Sequence, residues 1–120
     1  MSENEKSRKL ENRTLIFSKD VLRLCRKHQK DIVLRPIIKQ LIHSATSIGA
    51  NYSEANNASS KADFRNKIFI AKKESAETKY WLKLTQDEIQ NKSEVDKLID
   101  GVSELLLIFQ KIVPTMKNGK

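Results

Sequence analysis

Ser60 to Ile89 reads SKADFRNKIFIAKKESAETKYWLKLTQDEI, and this stretch decides the fold. Phe64, Ile68, Ala71, Ser75, Thr78, Leu82, Thr85 and Ile89 step by four and three without a break, which is the heptad spacing of bundles and coiled coils. Ser60 followed by Asp63 is the serine-plus-acid signal of a helix start. A continuous helix of about 30 residues would be a rod of roughly 45 Å. One such helix cannot bury its own apolar side, so the rest of the chain must supply partners.

Three further seams supply them. Leu10, Thr14, Phe17, Val21, Leu24 and His28 mark a first helix, ahead of a pattern break at Gln29 to Arg35. Pro36 suits the first turn of a second helix, whose face is Ile38, Leu41, Ile42, Ala45, Ile48, Tyr52 and Ala55. That helix ends in the Asn56-Asn57-Ala58-Ser59 cluster. Ser93 with Asp96 repeats the capping signal before a fourth seam of Val95, Leu98, Val102, Leu105, Phe109, Ile112 and Met116, with Pro114 set to kink or end it. Four amphipathic helices with short connections predict an all-α, antiparallel up-and-down four-helix bundle over residues 13–117. A loose, polar tail is expected at 1–12 and a short one at 118–120.

Composition agrees. Three glycines and two prolines in 120 residues are too few turn-formers for an all-β chain. A lone Cys25 excludes an internal disulfide, no stretch approaches the ~18 apolar residues of a spanning helix, and no secretory leader pattern is visible. The expectation is a cytoplasmic protein with no membrane-spanning segment.

A net charge of +8 attracts polyanions and leaves RNA, DNA and anionic lipid surfaces open as partners. Residues 1–35 hold ten Lys and Arg against five Asp and Glu. Lys19, Arg23, Arg26 and Lys30 share the side opposite the first seam, and Arg65, Lys72, Lys79 and Lys83 (with Lys61) fall within an arc of about 40° on the third helix. Either stripe can neutralise phosphates, with affinity that falls steeply with salt, or stand as a solvated face. Phe69 and Tyr80 lie beside the second stripe, where aromatics stack on bases or pack within protein. On another side of that helix, Ile70, Trp81 and Leu84 form a second apolar stripe among Asp63, Glu74, Glu77 and Glu88. It reads as an oligomer interface or as scattered exposed apolar residues.

Ser44 to Asn51 is a block of small residues suited to close helix packing, and Ser47, Asn51 and Glu54 alternatively line a polar groove or oligomer channel. Gly49 and Gly101, inside helical patterns, also point to close packing. Catalytic and metal chemistry finds little support. No glutamate precedes a histidine by three residues, His28 and His43 sit on different helices without a cysteine cluster, and no Gly-rich loop is present. His43 is expected to hydrogen-bond within the bundle, Cys25 to be a small core residue, and Glu74 and Glu77 to pair with neighbouring lysines on the surface. No cofactor, no metal and no enzyme activity are expected.

The wording of two segments is more specific than any periodicity. SATSIGANYSEA (Ser44 to Ala55) and SKADFRNKIFIAKKESAETKYWL (Ser60 to Leu82) resemble the four-helix bundle family of bacterial large-subunit rRNA intervening-sequence proteins. The resemblance implies an up-and-down bundle and a homopentamer. Some such relatives are encoded within rRNA insertions. More distant ones are accessory variability proteins of diversity-generating retroelements, which bind a reverse transcriptase and nucleic acid. The resemblance brings no catalytic residues. Ser47, Gly49, Asn51, Glu54, Asp63, Phe64, Lys72, Glu74, Glu77 and Trp81 match its pattern, while His43 stands where arginine is common. Two functions follow as expectations: a homo-oligomer that binds RNA or DNA through basic outer faces, or an adaptor that assembles with a nucleic-acid enzyme such as a reverse transcriptase.

Overall fold

The structure, a computed structural model, describes the backbone of residues 2–118 and the side chains of residues 2–112. It has four helices and, among the described residues, no strand: α1 Glu3–Arg26, α2 Arg35–Asn56, α3 Lys61–Thr85 and α4 Lys92–Asn118. The side chains of Pro114 and Met116 and the tail at 119–120 lie outside the described residues.

Local chemistry sets each start. The Ser2 hydroxyl accepts from the Glu5 amide at 3.1 Å, and Glu3 and Glu5 lie where the helix dipole favours acids. Helix α1 therefore begins ten residues before the expected boundary, and residues 3–12 are helical rather than a loose tail. Leu10, packed against the core, anchors that extension. The α1 helix closes at Arg26, so His28 and Lys30 fall in the connection. There Asp31 Oδ1 accepts from the amides of Val33 and Leu34, at 3.0 and 3.1 Å, and steers the chain into α2 with Pro36 in its first turn. Ser60 Oγ caps α3 through the Asp63 amide at 3.0 Å, as its spacing predicts. The cap of α4 is different: Asn91 Oδ1 accepts from the Glu94 amide at 3.3 Å, so the helix starts before Ser93. Helix α3 is 25 residues, shorter than the heptad run, because the chain turns after Thr85 and Ile89 is buried from outside the helix.

Each helix packs against its neighbours in sequence, and α1 closes onto α4; α1 with α3 and α2 with α4 make no close approach among the described residues. Thus α1 and α3 occupy opposite corners. Contacts between helices are paired in a regular order: Asn56 with Glu11, Ser18 with Ala45, Lys67 with Glu54, Thr78 with Ser44, Arg13 with Glu104 and Lys27 with Glu94. The core runs between all four, with Leu24, Leu41, Ile48, Ile68, Leu82, Val102, Leu105 and Phe109 almost wholly buried. These are the residues of the four seams. Gly49 marks close packing, since a Cβ there would meet Thr14 Oγ1 at 3.0 Å.

Among the described residues six polar side chains are buried with the apolar ones, and every hydroxyl of these is hydrogen-bonded. Most bond back to their own helix. Thr78 Oγ1 bonds back to the Glu74 carbonyl at 2.8 Å and also lies 2.8 Å from Ser44 Oγ, which ties α3 to α2. Ser44→Ala and Thr78→Val should each cost about 1 kcal/mol. The double variant should cost less than the sum by about 0.5 kcal/mol or more, because the tie between the two hydroxyls can be lost only once. Urea melts of the four proteins check this; strict additivity would dismiss the tie.

Candidate nucleic-acid interface and subunit edge

Helix α3 buries one side, and the remainder divides into three strips with different chemistry. Along the first run Arg65, Lys72, Lys79 and Lys83, separated by seven, seven and four residues. Each has some exposure, and none has a carboxylate within ion-pair distance among the described residues. Lys72 Nζ sits 5.8 Å from the centre of the Phe69 ring, a cation–π approach. Arg65 borders a depression of about 600 Å³ at the α2–α3 connection, beside Ser59, Ser60 and Lys61, and its Nε is buried without a partner.

The second strip points outward and carries Phe69, Tyr80 and Leu84, 40%, 59% and 45% exposed. The third borders α2 and holds Ile70, Glu74, Glu77 and Trp81, none of them fully buried. Trp81 packs partly on the core, meets the Tyr80 ring edge-on at 5.0 Å and donates its indole N–H to Glu77 at 3.2 Å. Among the described residues neither Glu74 nor Glu77 has the surface ion-pair partner expected of it. Glu74 Oε2 is buried without a hydrogen-bond partner. Burial, then the neighbouring Glu77 charge, raises the Glu74 pKa above the usual carboxylate value, against the opposing pull of His43, Lys73 and Ser47.

His43 is exposed beside this strip and, among the described residues, makes no side-chain hydrogen bond within the bundle, contrary to expectation. The polar row on α2 is largely self-satisfied: Ser47 donates to the His43 carbonyl, Asn51 to the Ser47 carbonyl, and Glu54 accepts from Lys67 at 3.1 Å.

On α1, Lys19, Arg23 and Arg26 are exposed as the pattern predicts. Arg23 pairs with Asp20 at 2.8 Å, so the stripe has an acid at its margin. Lys30 is exposed too, but beyond the helix end. Because α1 and α3 stand at opposite corners, the two basic stripes do not merge into one surface. Leu15 and Leu22, 52% and 39% exposed on α1, and Ile32 and Val33, 77% and 72% exposed in the connection, were not among the expected surface features. The seven-residue step from Leu15 to Leu22 was the available signal, obscured by the stronger core repeat one position away.

The remaining chemistry is spare. Burial pushes the Cys25 thiol up to about 11, which disfavours the thiolate a nucleophile needs. Among the described residues no three His, Cys, Asp or Glu cluster as metal ligands, and no helix is long and apolar enough to cross a membrane.

Four amphipathic helices around one core are a known class of all-α architecture. The 23S rRNA-intervening sequence protein model matches residues 6–111, and the chain belongs to that family. It is also similar, at 32% identity and a TM-score of 0.78, to a protein with unknown function from the S23 ribosomal protein family of Bacteroides thetaiotaomicron, known from a crystal structure. That match covers 86% of this chain and 96% of the other. None of the curated proteins matches the chain.

Proposed function

We propose that this chain is a non-enzymatic, cytoplasmic nucleic-acid-binding protein: an antiparallel up-and-down bundle that assembles into a homo-oligomer, a pentamer, and holds RNA or DNA on the basic strip of α3. The observation that carries the binding reading is the line of Arg65, Lys72, Lys79 and Lys83, four cations on one edge with no carboxylate at ion-pair distance among the described residues. Arg65 and Lys83 lie about 27 Å apart along the helix, enough to follow several phosphates. Phe69 and Tyr80 beside them offer stacking surfaces for unpaired bases. The family name, 23S rRNA-intervening sequence protein, makes structured rRNA the first ligand to try. The descending order of helix contacts supports the antiparallel topology, and the incompletely buried Ile70 and Trp81 support burial against another copy.

Fluorescence anisotropy against rRNA fragments, single-stranded RNA and duplex DNA across a salt series tests the reading. Replacing all four cations with glutamine should weaken binding at least tenfold. On duplex DNA it should lower the slope of log affinity against log salt by about 3 to 4, at roughly 0.9 for each phosphate no longer neutralised. Binding and slope unchanged in the variant would reject the strip as the phosphate-binding surface.

The second reading is a protein-assembly adaptor for a nucleic-acid enzyme. Ile32 and Val33, the most exposed large apolar residues among those described, favour it. Recovery of a reverse transcriptase with the wild-type chain, abolished in Ile32→Ser/Val33→Ser, would move the function to that connection.

A further inference from the structure

Two surfaces that the nucleic-acid strip leaves unused are complementary. On α1, Leu15, Lys19, Leu22 and Arg26 step by four, three and four residues, all of them exposed, with no ion-pair partner for either cation among the described residues. On α3, Ile70, Glu74, Glu77 and Trp81 repeat that spacing along the valley shared with α2. Each row runs about 16 Å along its helix. One is apolar and basic, the other apolar and acidic, and the acidic one contains a buried carboxylate oxygen with no donor.

Both rows cannot meet within one chain. Their helices stand at opposite corners of the bundle. A two-fold contact of α3 on α3 would face seven Lys and Arg and three acids with the same set, whereas α1 on α3 sets cations against carboxylates. Either direction of approach places Lys19 opposite an acid, Glu74 in one and Glu77 in the other.

We infer that α1 of one copy docks in the α2–α3 valley of the next, Leu15 covering Ile70 or Trp81 while Lys19 faces Glu74 or Glu77, according to the direction of approach. The contact is head-to-tail, so each copy offers one donor row and one acceptor valley, and copies add until the rotation closes a ring. This rests on the homo-oligomer reading and names the surfaces that make it. It assigns Lys19 to assembly and leaves the α3 strip to phosphate.

The test uses two full-length variants. Leu15→Glu/Lys19→Glu disables the donor row, and Trp81→Glu disables the valley; should the latter lose its helical circular dichroism, Leu84→Glu, at an exposed position on the valley's outer rim, replaces it. Light scattering should give a multi-subunit wild type and a single subunit for each variant. Mixed in equal amounts they should form a heterodimer and nothing larger, since the mixture retains one intact donor row and one intact valley. A monomeric wild type would overturn the oligomer reading itself. An oligomeric wild type together with a folded variant that still assembles fully, or two monomeric variants that fail to pair, would leave oligomerisation standing and overturn this contact.

Discussion

Replacing Phe109 with alanine is expected to destabilise the chain by about 3–5 kcal/mol, close to the whole stability of a weak domain. Phe109 is the largest of the fully buried side chains, with no measurable exposure, and its ring meets that of Tyr52 at 5.8 Å and 52°. Three losses coincide on truncation: the transfer energy of the ring, the dispersion contacts lining the space it leaves, and the tilted aromatic pair. Relaxation cannot close the gap cheaply, because Tyr52 and Leu105 are themselves buried and held by their own helices. At about 4 °C per kcal/mol for a chain of this size, thermal melting should move down by roughly 12–20 °C. Leu107→Ala, two residues away but 57% exposed, is the control and should stay within about 0.5 kcal/mol. A Phe109→Ala protein that melts within a few degrees of wild type would mean that α4 does not close this core.

The fate of particular residues shows which parts of the structure were legible. Phe109, Val102 and Val95 were placed in the core by spacing alone, because a helix with one wet side exposes every misplaced apolar residue. Pro36 and Ser60 marked true helix starts, since a fixed φ and a capping hydroxyl act within a few residues. Boundaries set from farther away were not legible. Ser93 looked like a cap, but Asn91 was positioned to take the Glu94 amide first. The first twelve residues looked too polar to hold, yet Leu10 finds the core only when four helices are assembled. The heptad ran on to Ile89 because that residue is buried, although from a turn rather than from α3.

The candidate site follows the same division. That Lys72, Lys79 and Lys83 share an edge is a property of one helix and could be read from spacing. That the α1 stripe stands across the body from it, and that Glu74 has an oxygen without a partner, depends on which helices are neighbours. Periodicity within a helix carries no information on that. Arg23 is a different case, because its partner Asp20 lies one turn away on the same helix. That i,i+3 pair was present in the sequence, and tracing acids as well as cations around α1 would have found it.

Gly49→Leu is the second large change expected, about 2–3 kcal/mol destabilising, and its sign runs against helix propensity. In an isolated helix, exchanging glycine for leucine should gain almost 1 kcal/mol. Here the Cβ alone would lie 3.0 Å from Thr14 Oγ1, 3.2 Å from Thr14 Cβ and 3.6 Å from the Thr14 backbone carbon. Thr14 is almost fully buried and its hydroxyl donates to the Glu11 carbonyl at 2.7 Å, so turning it aside would break a buried hydrogen bond. The leucine therefore has to push α1 away from α2, at the roughly 1–3 kcal/mol or more typical of overpacking. The first tie to part is one turn along, where Ser18 donates to the Ala45 carbonyl at 3.3 Å, worth about another 1 kcal/mol. Gly49→Ala should stay within about 1 kcal/mol of wild type, because the propensity gain offsets a contact that a few tenths of an ångström relieves. Denaturant melts of both variants, repeated in a Thr14→Ala background, separate the contributions: Thr14→Ala should recover about 1 kcal/mol of the leucine penalty. A leucine variant as stable as wild type would mean that α1 and α2 are not in close contact at Gly49.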